Sequence, residues 1–186
     1  MSSTMTARNW AYALPALAMV GGAVAGTPTA GADNKRLNDG VVANVYTMQH
    51  QAGCTTDIKI NPKLRLAAQW HTDDVLNNRA LNSDIGSDGS TVADRARNAG
   101  YAGAVSETTA INPALAISGI ELINQWYHRP DYNAIMSNCA NVDIGVWSAN
   151  LIDRTVVVAV YGTGDCTGGA PSPGRPFGAP GAGAPG

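Results

Sequence analysis

The chain has 186 residues, 12 of them basic and 14 acidic, for a formal charge of −2. That length suits one domain with a proper core, and so mild a charge excludes the dense basic surface that nucleic-acid binding needs. The single Phe, Phe177, falls in a Gly-, Pro- and Ala-rich stretch near the C-terminus, so the folded part is built without phenylalanine.

Taken in chain order, "MSSTMTARNWAYALPALAMVGGAVAGTPTAGADNK" carries one positive charge, Arg8, then an apolar run from Trp10 to Ala25 and an Ala30-Gly31-Ala32 triplet. This pattern predicts a secretory signal over residues 1–32, cleaved after Ala32; the run is too broken and short for a spanning helix. The competing reading is an uncleaved membrane anchor. Cleavage leaves 11 basic and 14 acidic residues, formally −3, on a chain with no stable membrane insertion. The domain is then expected over 33–162, followed by a disordered tail over 163–186 that has too few large apolar residues to offset the entropy of ordering.

Leu37, Val41, Val45 and Met48 recur at helical spacing and predict a helix over 35–51, capped by Asp33 or Asn34 and ended by Gly53. Pro62 opens a second helix with the stripe Leu64, Ala68, His71 and Val75. The loop "LNSDIGSDGS" follows, with an Asp88-Gly89 turn, and Ser90 is the expected N-cap of a short helix "TVADRARNA" closed by Gly100. "AVSETTAI", 104–111, alternates and is rich in β-branched residues, which predicts a strand. A buried helix is expected from Pro113 through Trp126, and a further helical turn or two after Pro130. "NVDIGVW" alternates Val142, Ile144 and Val146 against Asp143, Gly145 and Trp147; "SANLID" reads as a hairpin loop, and "TVVVAVY", 155–161, as a strand covered on both faces. Helices first and a closing hairpin last imply an α+β domain with an antiparallel sheet between helical layers.

Cys54, Cys139 and Cys166 are the three cysteines, and export permits a disulfide. Cys54 and Cys139 each directly follow a predicted helix, so Cys54–Cys139 is the expected pair and Cys139–Cys166 the alternative. Serines 83, 87, 90 and 106 lie near the central acids, yet there is no G-x-S-x-G elbow and no H-E-x-x-H helix. His71 reads as a satisfied core histidine on its helix stripe; His50 and His128 receive no role.

The order "LRLAAQWHTDDV", "SDIGSDGSTVADRARNAGY", "SETTA", "QWYHRPDYNAIM", "VDIGV" resembles the CAP superfamily of cysteine-rich secretory and antigen-5 type proteins, also called the SCP domain, in its bacterial secreted branch. The resemblance covers nearly all of 35–161. It implies a three-layer α-β-α sandwich and a central cavity that in many members holds a divalent metal on two histidines and two acids. In the pattern S-H-x-G-x-D-G-S the histidine's place is taken here by Asp84. Glu107 matches the acid of E-N-x-A, with Thr108 in place of Asn. Tyr132 stands at the second histidine's place and Arg129 at the other acid's. A neutral Tyr is a poor ligand and Arg cannot ligate, so the expectation is a degenerate tetrad with no metal and no cofactor. Glu107 is then expected to pair with Arg129 or Tyr132, and the family's "D-R" helix start, Asp94 and Arg95, to bridge to the preceding helix. The functional expectation is a secreted, non-enzymatic domain that binds a small lipid or an extracellular protein. The alternatives are a divalent-metal-dependent hydrolase built on Asp84 and Glu107, and a structural envelope protein.

Overall fold

A computed structural model describes residues 30–82 and 84–165. Most of the expected signal segment, Cys166 and nearly all of the tail lie outside the described residues. No described helix is long and apolar enough to cross a membrane.

Helix α1, Ala30–Gln51, starts ahead of the expected caps, so Asp33 and Asn34 lie within it. It ends as its sequence demands: Gly53 takes a φ of 89° and Cys54 N–H reaches back to the Gln49 carbonyl at 2.9 Å. Strand β1, Lys59–Ile60, is only two residues long and was not foreseen, because no periodicity can show in so short a run. Helix α2, Pro62–Asn77, has Pro62 in its first turn and Asn61 as N-cap. Helix α3, Val92–Asn98, is capped by Thr91 and not by Ser90: Thr91 Oγ1 accepts from Asp94 N–H, and the Asp94 carboxylate accepts from Thr91 N–H, a reciprocal box in which Ser90 has no part. Strand β2 spans Val105–Asn112. Helix α4, Gly119–Tyr127, starts six residues later than expected, with Ser118 as its N-cap: Ser118 Oγ accepts from Glu121 N–H, while Asn112, ahead of Pro113, donates through Nδ2 to the Ala116 carbonyl. Helix α5, Pro130–Met136, begins on its proline. Strands β3, Asp143–Leu151, and β4, Arg154–Gly162, pair along their whole length, so "SANL" is strand and the turn shrinks to Ile152 and Asp153.

The sheet order is β1-β3-β4-β2. It is mostly antiparallel, as expected, but β1 runs parallel to β3. Strand β4 is buried throughout and sorts its side chains by parity. Val157, Ala159 and Tyr161 join α1, α4 and α5 on one face; Val156, Val158 and Val160 join α2 and α3 on the other. That is the three-layer α-β-α sandwich.

Cys54 and Cys139 are bonded, with Cα atoms 5.1 Å apart across a sequence separation of 85 residues. The bridge ties the C-terminal end of α1 to the loop before β3. Replacing both with alanine is expected to lower stability by about 2–4 kcal/mol, read as a shift in the urea midpoint.

Candidate functional site

Strand β2 lies at the sheet's edge, and its alternation decides where the site residues point. Thr108 and Ala110 turn toward α1, α4 and α5: Thr108 Oγ1 lies 3.1 Å from Tyr161 Oη, and Ala110 joins that core. Glu107 and Thr109 turn to the opposite face. There the Glu107 carboxylate is almost wholly buried. It accepts from Arg95 Nη2 at 3.2 Å on Oε1 and 3.1 Å on Oε2, and from Thr109 Oγ1 at 3.4 Å; His71 Nε2 lies 3.3 Å from Oε1. Burial pushes the carboxyl up to about 7, against the lowering pull of the Arg95 guanidinium.

Glu107 therefore pairs with Arg95 and His71, not with Arg129 or Tyr132 as expected. Arg129 and Tyr132 sit at the start of α5, on the other side of the sheet. Arg129 lays its guanidinium 3.5 Å from the centre of the Tyr132 ring and pairs with Asp131 at 2.7 Å. Tyr132 is buried against Trp126 in an edge-on contact, 6.2 Å between ring centres. Burial pushes its phenol up, opposed by the Thr109 N–H at the β2 edge. Asp84 is exposed, yet its charge raises both Glu107 and Tyr132, so it stands within electrostatic reach of both. The four tetrad-equivalent residues thus split into Glu107 on one face, Tyr132 with Arg129 on the other, and Asp84 at the rim.

Arg95 also builds the loop. Its Nη1 donates to the Ser90 carbonyl at 2.8 Å and its Nη2 to the Asp84 carbonyl at 2.9 Å. Asp74 of α2 holds the same loop from the other side, accepting from Ser87 N–H and Ser87 Oγ at 2.7 Å each. Gly89 takes the positive φ of the expected Asp-Gly turn, 80°. Asp94 and Arg95 do not bridge to α2: Asp94 closes its own helix cap and pairs with Arg97, while Arg95 reaches strand β2.

These residues do not fit a divalent cation. Both oxygens of Glu107 are engaged by a guanidinium, and among the described residues no group of three or more His, Cys, Asp or Glu side chains could hold a metal ion. Arg95 was missed as the partner of Glu107. Its signal lay in the helix period: Val92, Arg95, Ala96 and Ala99 fall at i, i+3, i+4 and i+7, which puts the arginine on the buried stripe.

A second candidate lies across the molecule. Between α1 and the start of α4, Arg36, Leu37, Gly40, Asn44 and residues 117–120 line a groove of ≈ 420 Å³. Ile117 and Leu37 supply apolar walls and Ile120 overhangs it. Arg36 stands at its rim and forms no ion pair among the described residues. The pocket beneath the Asp84–Ser90 loop, with Trp70, His71 and Arg95 in its wall, holds ≈ 210 Å³. A cleft between α1 and α2 holds ≈ 200 Å³. Ligand pockets run from about 300 Å³ upward, so of these three only the α1–α4 groove reaches ligand size.

Comparison of structures places this architecture beside known folds. An outer surface protein of Borrelia burgdorferi superposes with a TM-score of 0.61 at 16% identity, over 70% of this chain and 94% of that one. An extracellular protein of Bacillus anthracis containing an SCP domain gives 0.55 at 13% identity, over 74% of this chain and 45% of that one. A cysteine-rich secretory protein of Staphylococcus aureus gives 0.51 at 12% identity, over 68% of this chain and 38% of that one. This chain spans less than half the length of the last two. The sequence itself matches no protein-family model and no curated protein. The likeness shows the fold: the resemblance drawn from five short motifs holds for the architecture as a whole.

Proposed function

We propose that this domain of the SCP fold is an exported, non-enzymatic binding protein whose ligand is a small acyl lipid held between α1 and α4. The observation that carries this reading is the groove itself. Leu37, Ile117 and Ile120 offer apolar walls for a chain, and Arg36 offers a cation at the rim for an anionic head group. Gly40 sits in the helix wall, and a Cβ there would meet nothing within 4 Å. The helix has given up the propensity of any other residue at that point, and an open groove is what results. The engagement of Glu107 by Arg95 supports the non-enzymatic part of the reading, because it leaves no free carboxylate beside Asp84. The extracellular and outer-surface proteins that share the fold support export.

Gly40→Leu tests it cleanly. The substitution fills the groove while favouring the helix by roughly 0.5–1 kcal/mol. Titration of the wild-type protein with the fluorescent fatty acid cis-parinaric acid is expected to saturate. Gly40→Leu is expected to bind it at least about tenfold more weakly with an unchanged or higher melting temperature. Equal binding by the two proteins, or no saturable binding by the wild type, would sink the assignment.

A further inference from the structure

Strand β3 keeps one edge unpaired for most of its length. Its inner edge pairs with β4 from Asp143 to Leu151, whereas β1 covers only Asp143 and Ile144 on the outer edge. The sequence explains the short cover. Asn61 N–H reaches the Ile144 carbonyl at 2.8 Å, and Pro62 then opens α2, so the chain leaves the edge after that bond. Ile144 turns its backbone groups toward β1. By the two-residue period those of Val146 and Ser148 turn the same way, where no strand follows among the described residues. The cleft between α1 and α2 runs along this edge. Lys35 and Asn38 of α1, Arg65 of α2 and Val146 line it; an adjoining hollow of ≈ 120 Å³ shares the first three and continues to Ser148. Val146 and Ser148 are only 4% and 2% exposed. Backbone groups so enclosed are nearly always paired, yet no hydrogen bond among the described residues reaches the outward N–H or C=O of either. Asn38, 9% exposed, lines both hollows, and its buried Oδ1 likewise has no partner.

We propose that this edge is a docking site for an extended, acidic peptide segment of another protein, which adds as a strand beside β3. An extended backbone repeats its donors and acceptors every two residues, about 6.6–6.8 Å, and so meets Val146 and Ser148 in turn. The cleft is too small for a compact ligand, but an added strand lies along an edge and sends only alternate side chains inward. Charge selects the acidic peptide. Lys35 is neutralised by Asp39, while Arg65 and, on β1, the exposed Lys59 form no ion pair among the described residues. Arg65 extends over the Trp147 ring, 5.0 Å from its centre, which holds the guanidinium beside the edge. The same cations deter a second copy of this chain, whose own Arg65 would meet them. The edge shares no lining residue with the α1–α4 groove, so it stands apart from the acyl-lipid reading.

The test selects heptapeptides from a random phage-displayed library against the whole protein and synthesises the tightest. These are expected to carry Asp or Glu. At saturation, amide exchange followed by NMR should slow at least about tenfold at Val146 and Ser148. Methylating alternate peptide nitrogens should abolish binding in one register and spare it in the other, since only every second amide faces β3. Arg65→Glu changes an exposed side chain and is expected to bind the peptides at least about tenfold more weakly, with the same melting curve and the same cis-parinaric acid titration. A library that yields no binder would overturn the proposal. So would bound peptide that leaves the two amides unprotected, methylation that acts equally in both registers, or self-association that protects the same amides without peptide.

Discussion

Gly145→Ala is expected to destabilise the domain by at least about 4 kcal/mol, a large share of the roughly 5–15 kcal/mol by which domains are usually stable. Gly145 lies mid-strand in β3, paired with Val160 of β4. Its missing side chain would point into α2, where a Cβ would fall 2.0 Å from the Arg65 nitrogen and 2.2 Å from the Leu64 carbonyl carbon. Both are backbone atoms and cannot rotate away. Relief requires the whole helix to withdraw by about 1.5 Å to reach ordinary contact. Withdrawal would open the core that Leu64, Ala68 and Val75 share with Val156, Val158 and Val160. It would also lift His71 from Glu107. Urea denaturation followed by circular dichroism measures the loss. A variant within 1 kcal/mol of wild type would mean that α2 does not approach the sheet this closely.

Arg95→Met is expected to cost about 3–5 kcal/mol at a pH where Glu107 is ionised, because it leaves a buried carboxylate without its cation. It also removes the donors to the Asp84 and Ser90 carbonyls, so amide exchange in the 84–90 loop should quicken along with the loss of stability. The pH dependence has a definite sign. The folded carboxyl is raised from 4.5 to about 7, so between those values the folded chain keeps a proton that the unfolded chain has released. The contribution is fully present below about pH 4.5 and is lost as pH rises through about 7, for a total of roughly 3–4 kcal/mol. Arg95, His71 and Thr109 contact this carboxyl, and the charge of Asp84 acts on it from the loop. Glu107→Gln removes the titrating group, and its stability should be flatter across the same window. A slope unchanged in Glu107→Gln would assign the pH dependence elsewhere.

Much of the fold was legible because strong periodicity is local. The stripe in α2, the alternation in β2 and β3, and the continuous apolar run of β4 each name an element without reference to anything distant. Helix ends were read less well. Thr91 won over Ser90 because only Thr91 has an acid three residues on to close the box, and α4 starts after Ser118 and not at Pro113 because Ser118 Oγ caps the Glu121 N–H while the Asn112 side chain ahead of Pro113 donates to the Ala116 carbonyl. Gly145 was placed on the correct face, but a lone strand glycine does not disclose how closely a helix approaches it.

The site was legible as a set of positions and not as a set of contacts. Asp84, Glu107, Arg129 and Tyr132 were expected around one cavity, but the sheet separates Glu107 from Tyr132 and Arg129, and Asp84 alone stands within electrostatic reach of both Glu107 and Tyr132. The expected pairing of Glu107 with Arg129 failed because parity along β2 sends Glu107 to the face opposite α5. The true partner, Arg95, lay on the inward stripe of a seven-residue helix. A charged residue on such a stripe is itself a sign that a buried counter-charge waits across the interface. The α1–α4 groove left no such mark, since it is shaped by an absent side chain at Gly40 and by a loop, 113–118, that carries no periodicity.

The most direct measurement is mass-spectrometric identification of whatever organic solvent extracts from the protein after purification without added lipid. The account predicts an acyl lipid at close to one per chain in the wild type and little or none in Gly40→Leu. A wild-type extract free of lipid, or an equal lipid load on Gly40→Leu, would contradict it.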